Sequence, residues 1–175
     1  MADVPDTLVL KRDRDLEGRR NDIWIRRGLM ALVAAVPVVA LFNVFGQRPD
    51  TTTLVSPAAS LKIYAPSKLR GGLLYEARFH VTARQELKDA YLVLGTVWAE
   101  GMSINTIEPS PVSEASNNGR LSFELGHIPA GQSHILFMQF QVNPTNVAFG
   151  RPQTVWLTDG KTRLITYERE LTVFP

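Results

Sequence analysis

From Gly28 to Gly46 the chain reads GLMALVAAVPVVALFNVFG, about 19 residues without a charged side chain. As a helix, such a run rises about 28 Å, close to the thickness of a bilayer's hydrocarbon core. Its apolar residues occupy every face rather than one stripe, the pattern of a helix surrounded by lipid and not of one packed on a soluble core. Pro37 and Asn43 are the departures from apolarity. A single span tolerates both where neighbouring groups satisfy the freed carbonyl, and a polar Asn within lipid tends to seek an interhelical partner.

The flanks set a direction. Lys11, Arg12, Arg14, Arg19, Arg20, Arg26 and Arg27 precede the run, and only Arg48 follows it before Lys62. Topology follows Lys and Arg rather than net charge, which puts the N-terminus in the cytoplasm and the rest of the chain outside. Trp24 falls at the cytoplasmic headgroup level, with Phe42 and Phe45 near the other end. A cleaved signal peptide shares the basic and apolar regions. No A-x-A pattern follows the run, however, and SPAAS at Ser56 to Ser60 lies far beyond it. The expectation is therefore a retained signal anchor in the plasma membrane: a charged tail over 1–27, a transmembrane helix over 28–46, a Thr-, Pro- and Ser-rich linker over 47–60, and an extracytoplasmic domain over 61–175.

In that last region the period changes to two. In LLYEARFHVTA, Leu73, Tyr75, Ala77, Phe79, Val81 and Ala83 share one face, and Leu74, Glu76, Arg78, His80 and Thr82 the other, the signature of a half-buried strand. Shorter signals occur at Leu61 to Ala65, Ala90 to Val97, Met102 to Ile107, Leu121 to Leu125, His134 to Val142, Thr154 to Thr158 and Thr162 to Val173. Turn residues separate them, among them Asn117-Asn118-Gly119 and Asp159-Gly160, the latter expected to be the two central residues of a type I′ hairpin. About eight short strands with no amphipathic helix between them predict an all-β sandwich of immunoglobulin-like type. The inward positions Phe79, Val81, Leu92, Leu94, Leu121, Phe123, Leu125, Leu136, Met138, Phe140, Val155, Leu157 and Val173 supply its core.

The segment LSFELGHIPAGQSHILFMQFQV, Leu121 to Val142, resembles the strand, Leu-Gly, Pro-Ala-Gly turn and long strand of bacterial CARDB-like immunoglobulin-like domains. The chain as a whole, with stretches such as Asn43 to Pro49 and Asn143 to Asn146, is similar to a family of single-span actinobacterial membrane proteins with this tail, span and ectodomain order. The resemblance implies a fold and no activity.

The sequence offers little for catalysis. The chain has no cysteine, which excludes disulfides, thiolate metal sites, a cysteine nucleophile and a copper centre of the cupredoxin type. His80, His127 and His134 share no ligand spacing, the carboxylates are scattered singly, and no phosphate loop, dinucleotide fingerprint or EF-hand loop occurs. No enzyme, cofactor, metal or small-molecule ligand is expected. Nor is nucleic acid, because seven of the 19 Lys and Arg residues precede the span and the others nearly balance the acidic residues beyond it. A tethered hydrolase would need His and carboxylate groups to converge in one cleft.

What remains is a surface for partners. Asn105 and Glu108 lie in a long segment, Glu100 to Gly119, read as a loop stiffened by Pro109 and Pro111. Trp156 is out of phase with Val155 and Leu157, so it reads either as core or as an exposed stacking residue, and Phe149 lies in a second loop outside any strand signal. With Asn43 in the span, these five are the candidate partner-binding residues. The function expected is a non-enzymatic bitopic membrane protein that binds or scaffolds another envelope or membrane protein. The alternative is a membrane-tethered cell-wall or glycan-binding module resting on Trp156 and Phe149.

Overall fold

The computed structural model describes residues 20–42, 44 and 47–175. They form two units, one on either side of residue 44. The first contains helix α1, Arg20–Leu41, with Pro37 inside it. It starts eight residues before the apolar run, so Trp24 lies within the helix, with the Arg27 guanidinium 5.3 Å from its ring centroid. Its described side chains are all exposed, and the helix is long and apolar enough to cross a membrane as an anchor or to serve as a signal sequence. Asn43, Phe45 and Gly46, expected within the span, lie outside the described residues, as does the tail over 1–19.

The second unit is a β-sandwich of immunoglobulin-like type with eleven strands rather than eight: β1 Pro49–Val55, β2 Ala59–Pro66, β3 Lys68–Arg70, β4 Leu74–Ala83, β5 Leu87–Leu94, β6 Met102–Glu108, β7 Ser113–Asn117, β8 Arg120–Ile128, β9 Ser133–Val142, β10 Ala148–Asp159 and β11 Thr162–Phe174. One sheet has the order β1-β2-β4-β9-β6 and the other β3-β11-β10-β5-β8-β7. Pairing is antiparallel except where β3 joins β11.

The alternation in the sequence explains the layers. On β4, Tyr75, Ala77, Phe79, Val81 and Ala83 are buried, and every expected core position except the half-buried Leu121 is buried with them. Leu73, in phase with that face, precedes the strand and is exposed. His134, which shares a phase with Leu136 and Met138, is only half-buried because it sits at the start of β9. The centre of the core is aromatic: Trp98 is fully buried, 5.7 Å from Phe79 and 5.9 Å from Phe140, and Phe140 stacks on Tyr75 at 5.0 Å. Trp98 Nε1–H donates to the Thr154 carbonyl at 3.1 Å, which satisfies the one polar atom of the indole.

Three expectations from sequence are corrected. The presumed linker over 47–60 contains β1 and the start of β2, because Thr51, Thr52 and Thr53 suit an edge strand that needs little apolar alternation. Within Glu100 to Gly119 the strand signal at Met102 to Ile107 is β6, whereas the rest, read as a loop, also contains β7; the two are edge strands of opposite sheets, joined by residues 109–112. The hairpin between β10 and β11 turns on Gly160 and Lys161, since Asp159 still pairs with Thr162 and only Gly160 takes a positive φ, 53°. That is the pattern of a type II′ turn, with Gly at the first central position. Asp159 is retained in β10, where its carboxylate accepts the Asp89 N–H at 2.7 Å. The type I′ pattern is found instead between β7 and β8, where Asn118 and Gly119 have φ of 50° and 74°.

Candidate protein-binding face

The outward residues of the five-stranded sheet form ordered rows, because its strands pair in register. Thr51 faces Tyr64, Tyr64 faces Arg78, Arg78 faces Phe137 and Phe137 faces Glu108, one residue from each strand. Beside this row stand Lys62, His80 and Ile135 on one flank and Glu76, Gln139 and Thr106 on the other. Directly opposed side chains of this kind lie close enough to interact.

Arg78 organises the row. Its guanidinium lies 5.3 Å from the Tyr64 ring centroid and 5.5 Å from that of Phe137, within cation–π range of both. It also donates to both oxygens of Glu76, at 2.6 and 3.1 Å, in the bidentate fork that suits guanidinium and carboxylate. Glu76 is two residues away on the same face of β4. The hydrogen bond from Arg78 holds the Glu76 carboxyl below its usual range and raises Arg78 in return. The centre of the face is thus charge-balanced and rimmed by rings. Two shallow depressions open on it. One, of about 510 Å³, lies among Leu74, Glu76, Glu108 and Phe137, and the other, of about 260 Å³, among Tyr64, Arg78, His80 and Ile135.

The structure separates the residues singled out from sequence. Glu108 belongs to the central row, and Asn105, at a bulge in β6, points its amide towards Gln141 Oε1 at 3.5 Å on the same edge. Trp156 is half-buried on the outer face of the other sheet, with the guanidinium groups of Arg120 and Arg163 at 4.9 and 5.4 Å from its ring. Phe149, expected in a loop, is instead the second residue of β10; 71% exposed, it lies at one end of the sandwich, edge-on to Phe174 at 6.2 Å. The sequence reading missed Tyr64, Glu76, Arg78 and Phe137. Phe137 carried a usable signal, an aromatic ring out of phase with Leu136 and Met138.

A second polar cluster lies between the sheets. Arg169, on the inward side of β11, donates from Nη1 to the Ala65 carbonyl at 3.0 Å and from Nη2 to that of Pro66, and lies 5.2 Å over Trp98. Burial lowers the proton affinity of Arg169 and raises that of the Tyr75 hydroxyl, whose O–H points to Met102 Sδ at 3.2 Å. Gln153, paired with Arg169 in the ladder, is fully buried. Burial likewise lowers His134. Among the described residues no three His, Asp or Glu side chains converge as a metal site would require.

No family model and no curated protein matches the chain. Solved structures that are similar in part include two of different kinds. CaCohA2 from Clostridium acetobutylicum aligns at a TM-score of 0.45 and 10% identity over 68% of this chain and 92% of its own. The GH20 exo-β-N-acetylglucosaminidase from Vibrio harveyi, in complex with N-acetylglucosamine, aligns at a TM-score of 0.30 and 14% identity over 73% of this chain and 18% of its own. At these scores neither likeness bears on function.

Proposed function

We propose that the protein is a non-enzymatic, single-pass membrane protein that holds its β-sandwich outside the cytoplasm and binds another protein of the cell envelope through the outer face of the five-stranded sheet. The observation that carries this reading is the row Tyr64, Arg78, Phe137 and Glu108, with Arg78 neutralised by Glu76. Tyr, Phe and Arg are the residues enriched at interface centres, and a paired charge costs less to bury than a lone one. The orientation rests on the Lys and Arg bias across α1, and a contact within the membrane would use Asn43. A glycan-binding reading would need a common aromatic platform. Trp156 and Phe149 lie on different parts of the sandwich, and Trp156 already stacks with two guanidinium groups.

The test is affinity capture of the intact chain from detergent-solubilised membranes. Phe137→Ser and Arg78→Glu are each expected to reduce recovery of a reproducible partner about tenfold or more, the scale of an interface centre, and Trp156→Ala to change it less than about twofold. Partner recovery that survives both substitutions on the five-stranded sheet would sink the assignment of this face.

A further inference from the structure

One end of the sandwich gathers exposed apolar side chains: Leu73, Leu74, Val147 and Phe149. They belong to one surface. The Gly71 N–H donates to the Phe174 carbonyl at 2.8 Å, Phe174 touches Phe149, and a Cβ on Gly71 would lie 2.8 Å from the Pro144 carbonyl oxygen, three residues before Val147. The Val142 N–H donates to the Leu73 carbonyl at 2.9 Å, which brings the start of β4 into the same group. This is also the end at which the chain arrives, since Gln47 Nε2–H donates to the Leu74 carbonyl at 2.8 Å. Seven residues, 42–48, connect Leu41 to Pro49, and fully extended they reach at most about 28 Å.

We infer that this end is a lipid-contacting tip, which lays Phe149, Val147 and Leu73 into the headgroup region of the bilayer that holds α1. The inference rests on the anchored reading above. A tether this short keeps the arriving end near the membrane surface, and isolated apolar side chains there gain by entering the boundary between headgroups and acyl chains.

Because the chain has no cysteine, single labels can be placed without background. The intact protein would carry an environment-sensitive fluorophore at Phe149→Cys, at Val147→Cys or, as the control at the opposite end, at Lys161→Cys. Each would be reconstituted into vesicles of phosphatidylcholine and phosphatidylglycerol at about 3:1, with and without bromine on the upper acyl chain. Labels at 149 and 147 are expected to lose about half of their emission or more to the brominated chains and the label at 161 almost none. Co-flotation with vesicles but no quenching at either 147 or 149 overturns the inference and leaves the anchor intact. Labels there shielded from aqueous iodide yet untouched by bromine would assign the patch to a protein or a second copy instead. Failure of the intact chain to co-float would remove the anchored reading and the tip together.

Discussion

Arg169 and Arg78 both lie over aromatic rings, 5.2 Å from Trp98 in one case and 5.3 and 5.5 Å from Tyr64 and Phe137 in the other, but their surroundings divide their roles. Arg78 is at the surface and answers its charge with Glu76. Arg169 lies between the sheets and answers its charge with backbone carbonyls of Ala65 and Pro66, so it ties β11 in one sheet to β2 in the other. The Thr52 hydroxyl and the Tyr167 hydroxyl, 3.1 Å apart, tie β1 to β11 alongside it. The inner arginine is an architectural crosslink. The outer one is part of an exposed, charge-balanced surface, and the same side-chain chemistry yields a fixed joint or a presented face according to what neutralises it.

Stability measurements can break this distinction. Arg169→Ala removes two charge-assisted hydrogen bonds and the cover over Trp98, and is expected to cost about 3 kcal/mol or more, seen as a fall in melting temperature of about 10 °C. Arg169→Met keeps the bulk and relieves the burial of a cation, so it should lose less than half as much. If Arg169→Ala proved no more harmful than Arg78→Ala, the contrast between joint and face would collapse.

A smaller effect comes from His134 at the inner edge of β9. Burial lowers its folded proton affinity below that of an unfolded imidazole, about 6.5. The unfolded chain therefore binds more protons just below that value, so stability is full above it and declines as pH falls through it. Urea midpoints measured from pH 7.5 to pH 5 should decline, and His134→Gln should flatten that slope. A slope that the substitution leaves unchanged would assign it to other groups. Smallest of all is Glu76→Gln, which breaks an exposed pair and should move the melting temperature by no more than about 2 °C. It leaves Arg78 unneutralised at the centre of the proposed interface, so weaker partner capture at unchanged stability is the outcome that sharpens the division between recognition and architecture.

The parts of this molecule that were legible from sequence are those in which apolar residues keep a single period. The alternation of Leu73 to Ala83 marked β4 and its buried face, and the inward residues of β9 and β10 followed the same rule. Strands without that signal escaped notice. Every residue of β7, Ser113–Asn117, is exposed, and β1 is mostly so, because edge strands bury too little to leave a hydrophobic pattern. Arg169 and Gln153 read as surface residues by type, and only the pairing of β10 with β11 and the approach of β2 show that Gln153 is buried and Arg169 half-buried between the sheets. The candidate face was half legible. Glu108 and Asn105 were singled out, but the meeting of Tyr64, Arg78 and Phe137 depends on the register of β2, β4 and β9, and β9 lies more than 50 residues beyond β4.

The position of β11 has a further consequence for how the protein is made. This strand is synthesised after the other ten, yet it stands inside its sheet between β3 and β10 and carries the ties from Tyr167 and Arg169 to β1 and β2. Until residues 162–174 are available, β1 and β2 lack their ties to the opposite sheet, β3 lacks its neighbour within its own sheet, and Trp98 lacks its cover. The sandwich therefore closes only once nearly its whole length has left the ribosome. A nascent chain remains open and pliable until that last strand docks.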